Sequence, residues 1–211
     1  MSTIGIIDYG VGNLGSLERA FEEIGATTQL ITTPKAITHC GALVLPGVGA
    51  FSDCMKLLNE LGWVTPLLMA VATGTPLLGI CVGMQLLAAF GEEGAFETPT
   101  PGLGLIPGTV THLRNRGCRA RVPHVGWNSL KPTNTGARLF ADIPPEIDVY
   151  FTHSYTIVPE VKETILGWTD YEIPVVAAVG RENVWGTQFH PEKSGRSGFQ
   201  ILRNFRRLAG C

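Results

Sequence analysis

Two short stretches of the chain carry residue types that could do covalent chemistry together. In "PLLGICVGMQLLAAF", residues 76–90, one thiol, Cys81, stands between Gly79 and Gly83 where an apolar strand pattern passes into an apolar helical one. In "GTQFHPEKS", His190 and Glu192 lie two positions apart across Pro191. G-x-C-x-G between a strand and a helix has the layout of a nucleophile elbow, a sharp turn that exposes the middle side chain at the carboxyl end of a sheet. The glycines let other backbone pass close by, and a helix N-terminus beneath the sulfur favours the thiolate. It also leaves the N–H of Val82 free to donate to an oxyanion. A small cysteine packed in a turn explains Cys81 equally well when it is read alone.

The second stretch shifts that balance. A nucleophilic thiolate needs a base, and the base needs a group that orients it. Pro191 holds His190 extended, and in an extended chain residues two apart point the same way. Glu192 is therefore placed to accept from one imidazole nitrogen while the other faces the thiol. Of the remaining histidines, none shows a comparable arrangement, and His39 and His112 read as ordinary surface or structural residues. A second oxyanion donor is offered by "LPGVG", where Gly47 and Gly49 flank the Val48 peptide and would let it rotate toward a ligand.

These motifs need a scaffold that brings strand ends together. The 211 residues are 45 % apolar and 16 % charged, enough for one large core. A net charge of −2 gives no sign of nucleic-acid binding. The N-terminus lacks the basic and apolar pattern of a signal peptide, and no apolar run is long enough for a membrane span. Five scattered cysteines without a C-x-x-C pair argue against a disulfide framework or a thiolate metal site, so a cytoplasmic protein without metal is expected.

In the first half, strand patterns ("STIGIID", "TTQLI", "GALVLPGVG", "PLLGI") alternate with helical ones. Leu14, Leu17, Ala20, Phe21 and Ile24 form one stripe, with Gly25 at the C-terminal cap position. The third strand is expected to break at Pro46-Gly47, and the helix after Cys81 to run on through residue 90. From Gly108 to Gln188 the patterns are mostly strands, "DVYFTHSYTIV" among them, and a helix over 195–209 closes the chain. The expectation is α/β: a single domain over 1–211, with a mainly parallel central sheet, helices on both faces and a strand-rich second half.

"GICVGMQ", "PGVG" and "QFHPEKS", in this order, resemble the class I (triad-type) glutamine amidotransferases. "DYGVGNLGS", "GLGLIPG", "VPHVGWN" and "THSY" resemble the branch of that class that serves histidine biosynthesis, as does Met84 where many other members have histidine. Val82 departs from the commoner leucine at a position where only backbone is needed. The resemblance covers nearly the whole chain. It implies that Cys81 is the nucleophile, His190 the acid/base and Glu192 its orienting carboxylate, with Val48, Gly49 and Val82 at the oxyanion hole. It further implies that Gly47, Gln85, Glu93, Ser154 and Tyr155 bind L-glutamine, Glu93 being favoured over Glu92 for the ammonium. Asn13, Trp127 and Lys193 would face a partner, a (β/α)8-barrel cyclase subunit in a heterodimer. No cofactor is implied. The residues alone also admit a cysteine peptidase, a non-catalytic regulatory module that kept the fold, or a glutaminase serving another synthase such as that of pyridoxal phosphate.

Overall fold

A computed structural model describes residues 2–136 and 138–211. Its first half alternates strand and helix: β1 (Ile4–Ile7), α1 (Leu14–Glu23), β2 (Thr28–Ile31), β3 (Ala42–Gly47), α2 (Phe51–Glu60), α3 (Val64–Ala72), β4 (Leu77–Cys81) and α4 (Val82–Leu86). The second half is strand-rich: β5 (Ala88–Gly91), β6 (Thr100–Pro101), β7 (Ile106–His112), β8 (His124–Pro132), β9 (Ile147–His153), β10 (Tyr155–Pro159), β11 (Ile165–Tyr171), β12 (Ile173–Arg181) and β13 (Val184–Thr187). Helix α5 (Gly195–Leu208) follows. Among the described residues no helix is long and apolar enough to cross a membrane.

The main sheet has the order β2-β1-β3-β4-β13-β12-β11-β8-β9. Strands β2, β1, β3, β4 and β13 run parallel, and the sheet continues antiparallel from β13 through β9. Every residue of β1, β3 and β4 is buried, as expected for parallel strands covered on both faces. Adjacent residues of β13 show the two layers. Trp185 meets Phe205 of α5, ring centres 6.0 Å apart, whereas Gly186 faces the Met84 side chain of α4. Strands β10, β7, β5 and β6 form a second sheet.

Three expectations from the sequence are corrected. The helix after Cys81 ends at Leu86, and Ala88–Gly91 is strand β5 in the second sheet, paired with β7. A uniformly apolar run has no periodicity that separates a buried helix from a buried strand. "DVYFTHSYTIV" is two strands: the chain leaves the main sheet after His153 and joins the second sheet at Tyr155. Finally, β3 does not break at Pro46 but runs through Gly47, which pairs with Cys81. On α5, burial centres on Ile201, Leu202 and Phe205, with Phe199 and Leu208 only packed against the core.

The β4–α4 corner is held by close backbone approach. A Cβ on Gly83 would lie 1.9 Å from the Leu45 carbonyl oxygen, one on Gly79 2.5 Å from the Gly83 oxygen, and one on Gly47 2.7 Å from the Gly83 nitrogen. By contrast, a Cβ on Gly15 in α1 would meet only the Arg19 side chain, at 3.7 Å. Gly83→Ala should therefore cost about 3 kcal/mol or more through overpacking, lowering Tm by roughly 6–12 °C. Gly15→Ala should leave Tm unchanged or raise it by about 1–3 °C. Thermal denaturation of the two variants checks the contrast.

Candidate active site

The corner at Cys81 is tight because β4 passes directly into α4. Cys81 takes φ 56° and ψ −113°, a conformation that L-residues seldom adopt, and Val82 opens the helix. As the first helical residue, Val82 has an N–H with no acceptor inside α4. β4 lies between β3 and β13, both parallel to it, so all three present their carboxyl ends at one edge. β3 brings Gly47–Gly49 there, and the segment after β13 brings His190.

His190 and Glu192 lie on the turn after β13, and they meet not along a continuously extended chain, as expected from the sequence, but across a 3-10 turn, Pro191–Lys193, that His190 leads into. His190 Nδ1 is 2.8 Å from Glu192 Oε1, and both side chains are almost wholly buried. The turn is fixed from β9, which folds back over it: the His190 N–H donates to the Tyr150 carbonyl, and the Tyr150 N–H donates to Ser194 Oγ. Burial alone would push the imidazole toward its neutral form. Its contacts with Cys81 and with Glu192 outweigh burial and raise the pKa from 6.5 to about 9. His190 Nε2 and Glu192 Oε2 are buried with no protein hydrogen-bond partner.

A cavity of about 330 Å³ opens at this edge. It is lined by Cys81, His190, Val82, Val48, Gly49, Gln85, Glu93, Ser154 and Tyr155, all singled out from the sequence. Gly47 and Glu192 stand behind it: Gly47 is pinned against α4, and Glu192 backs the imidazole. The two glycines around Val48 thus differ. Gly47 answers to packing, whereas Gly49, at φ 97° with open space around it, supplies the conformational freedom. Val48 is 44 % exposed, its carbonyl accepts from Cys54 Sγ at 3.4 Å, and Tyr9 holds the Pro46 carbonyl at 3.0 Å. Glu93 reaches the cavity and accepts from the Phe51 N–H at 3.1 Å, while Glu92 accepts from Asn115 outside it. Burial raises the Glu93 pKa, opposed by that backbone bond.

Four cavity neighbours escaped the sequence reading. Thr152, His153 and Pro123 line it, and the Thr152 carbonyl lies 3.8 Å from Cys81 Sγ. Gln188 Nε2 lies 3.9 Å from the same sulfur, and Gln188 Oε1 accepts from Gln85 Nε2 at 3.0 Å. Gln188 precedes His190 by two, so strand alternation was a usable signal for it. Asn13, Trp127 and Lys193 lie outside the cavity and are exposed. Trp127, 58 % exposed, sits edge-on to Tyr150 at 6.0 Å, and Lys193 Nζ lies 5.8 Å from the same ring. These two share one surface patch, and the turn that carries Lys193 packs near α1, which Asn13 precedes.

The model of the family "Glutamine amidotransferase class-I" matches residues 5–208. The chain belongs to that family. This amidotransferase is 45 % identical over 202 residues to "Imidazole glycerol phosphate synthase subunit HisH" of Desulfitobacterium hafniense (strain DSM 10664 / DCB-2), covering 96 % of this chain and 92 % of that one. The protein of the same name from Moorella thermoacetica is 43 % identical over 208 residues, covering 99 % and 96 %. Among solved structures, one described as "Crystal structure of glutamine amidotransferase" superposes with a TM-score of 0.75 at 21 % identity, covering 99 % of both chains. That likeness bears on the fold: the α/β architecture of the amidotransferase is that of solved glutamine amidotransferases.

The raised pKa of His190 has two consequences in this amidotransferase. NMR titration should place it near pH 9. Glu192→Gln and Cys81→Ala should each move it down toward 6.5, because each removes a contact that favours the imidazolium. Because the folded pKa lies above the unfolded one, this group's contribution to stability is complete below about pH 6.5 and is lost as pH rises through about 9. Unfolding free energies measured across that range should decline in the wild type and flatten in Glu192→Gln.

Proposed function

We propose that this chain is the glutaminase subunit of an imidazole glycerol phosphate synthase. It would release ammonia from L-glutamine and pass it to a (β/α)8-barrel cyclase subunit in histidine biosynthesis. One observation carries the reading: a single cavity collects a thiol at a strand-to-helix corner, an imidazole paired with a buried carboxylate, and groups suited to an amino-acid end. The names of the relatives that match nearly the whole chain support the choice of synthase.

In this mechanism the Cys81 thiolate attacks the side-chain carbonyl carbon of glutamine. The N–H groups of Val82 and of the Val48–Gly49 segment stabilise the tetrahedral oxyanion. His190, protonated at neutral pH, gives its proton to the departing nitrogen, and ammonia leaves behind a thioester. The now neutral His190 takes a proton from water, hydroxide attacks the thioester, and glutamate departs as the thiolate re-forms. Glu192 orients the ring throughout and steadies it whenever it is an imidazolium. Gln85 donates through Nε2 to the Tyr155 carbonyl and to Gln188 Oε1, so its buried Oε1 is left to accept from the substrate ammonium beside Glu93. The Ser154–Tyr155 backbone takes the carboxylate. No cofactor takes part.

The Trp127–Tyr150–Lys193 patch, with Asn13, is the proposed face for the cyclase subunit, and the whole chain acts as one domain. Five free cysteines suit the reducing cytoplasm. The exposed Val48 segment offers a control point: turning its peptide would complete or undo the oxyanion hole, and a missing donor costs about 10²–10³ in rate.

Steady-state assays test the reading. The lone chain should hydrolyse glutamine slowly, and adding the cyclase subunit with its nucleotide ligand should raise the rate by about 10²–10³. Trp127→Ala should weaken that response. Cys81→Ala in the complex should abolish glutamine-dependent synthesis yet leave synthesis from ammonium salt intact. Loss of the ammonium-dependent reaction as well would contradict the assignment of Cys81 to ammonia supply alone.

A further inference from the structure

The mechanism leaves unused a pair of buried histidines beside the cavity. His124, on β8, and His153, at the end of β9, are cross-strand partners, with His124 Nδ1 3.0 Å from His153 Nε2. His153 Nδ1 lies 2.8 Å from the Tyr155 carbonyl, and His124 Nε2 lies 3.3 Å from Asn128 Nδ2. The His124 ring is stacked against Tyr171 at 3.9 Å and Phe151 at 4.7 Å.

The direction of every bond in this chain follows from its ends. Asn128 is fixed because its Oδ1 accepts from the Ser129 N–H, at 2.8 Å, and its Nδ2 donates to the Asp170 carbonyl, at 2.7 Å. An amide nitrogen only donates, so His124 Nε2 accepts. A carbonyl only accepts, so His153 Nδ1 carries the hydrogen. With both rings neutral, one arrangement remains: His124 Nδ1–H donates to His153 Nε2. Protonating either ring would set two N–H groups against each other. Burial disfavours the charge as well, lowering His124 to about 4 and, with His124 and His190 adding to the effect, His153 to about 3. The Tyr155 carbonyl at the end of the relay also accepts from Gln85 Nε2 at 3.1 Å.

We propose that His124 and His153 are positioning residues: a one-directional relay from Asn128 through both rings to the Tyr155 carbonyl that fixes the Ser154–Tyr155 corner for the amino-acid end of glutamine. The proposal rests on the glutaminase reading. It assigns a role to the inward face of "PHVGWN", a motif whose outward face carries Val125 and Trp127.

The test uses the reconstituted synthase. His153→Ala removes the donor to Tyr155 and should raise the KM for glutamine about tenfold, with kcat changed less than threefold. His153→Asn keeps an N–H at the place of Nδ1 and should recover most of the loss. His124→Phe preserves the stack but removes the second link, so its KM should rise a few-fold. Synthesis from ammonium salt should stay at the wild-type level in all three. An unchanged KM in His153→Ala, or a loss confined to kcat, overturns the proposal. Nitrogen-15 NMR of the wild-type chain at pH 7 decides it without variants: both rings should be neutral with the hydrogen on Nδ1, and an Nε2–H form of either one overturns it. A wild-type complex that hydrolyses no glutamine would refute the glutaminase reading, while the NMR result would still decide the relay.

Discussion

The positive φ of Cys81 is the constraint from which the rest of the site follows. A strand that turns into a helix with no linker must place one residue in an unfavourable backbone region, at a cost of order 1–3 kcal/mol. That conformation persists because its surroundings leave no alternative. α4 is clasped against β3 and β4 by contacts that only glycine permits at positions 47, 79 and 83, and its five residues are all buried. The same corner sets Cys81, itself buried, against the cavity at the sheet edge. Parallel pairing then does the assembling: β3 and β13, on either side of β4, deliver the Val48 segment and His190 to that edge although they are far apart in sequence.

Burial sets the electrostatics of what is assembled. An imidazolium and a carboxylate removed from water are expensive to keep, and a buried pair of this kind is weak evidence of a purely stabilising role. The His190–Glu192 pair is held by a turn that is hydrogen-bonded to β9, so its geometry is paid for by the sheet rather than by the pair itself. Nearby, two other histidines meet the same low dielectric and respond in the opposite way, staying neutral because they have each other and a carbonyl instead of an anion. One cavity thus holds imidazoles of opposite charge preference within a short distance, each fixed by its partner.

The local signals in the sequence were those with a short-range cause. The elbow glycines and the stripe on α1 with Gly25 beyond it are set by neighbours in the chain, and Gly25 does take φ 70°, while His190 and Glu192 pair as their spacing suggested but through a 3-10 turn rather than an extended chain. What escaped was decided by distant pairing. Ala88–Gly91 is a strand because β7 lies alongside it, and its own apolar residues do not say so. The break at Ser154 reflects two sheets competing for one run of β-formers. His124 and His153 look unremarkable until β8 and β9 are set in register, and Pro46 stays in β3 through its pairing with Ile80 of β4, beyond Val44, the last residue of β3 that pairs with β1.

β8 has no face to spare. His124 and Asn128 point toward the cavity and its supports, while Val125 and Trp127 point to solvent on the other side. Because the side chains of a strand alternate, inserting or deleting one residue there would exchange the two sets along the whole segment. Imidazole and amide would move into solvent, and an indole would be driven beneath the sheet. The length of the segment leading into β8 is therefore as tightly fixed as the identity of its residues, and gaps should be excluded from it even where substitutions elsewhere in the strand are accepted.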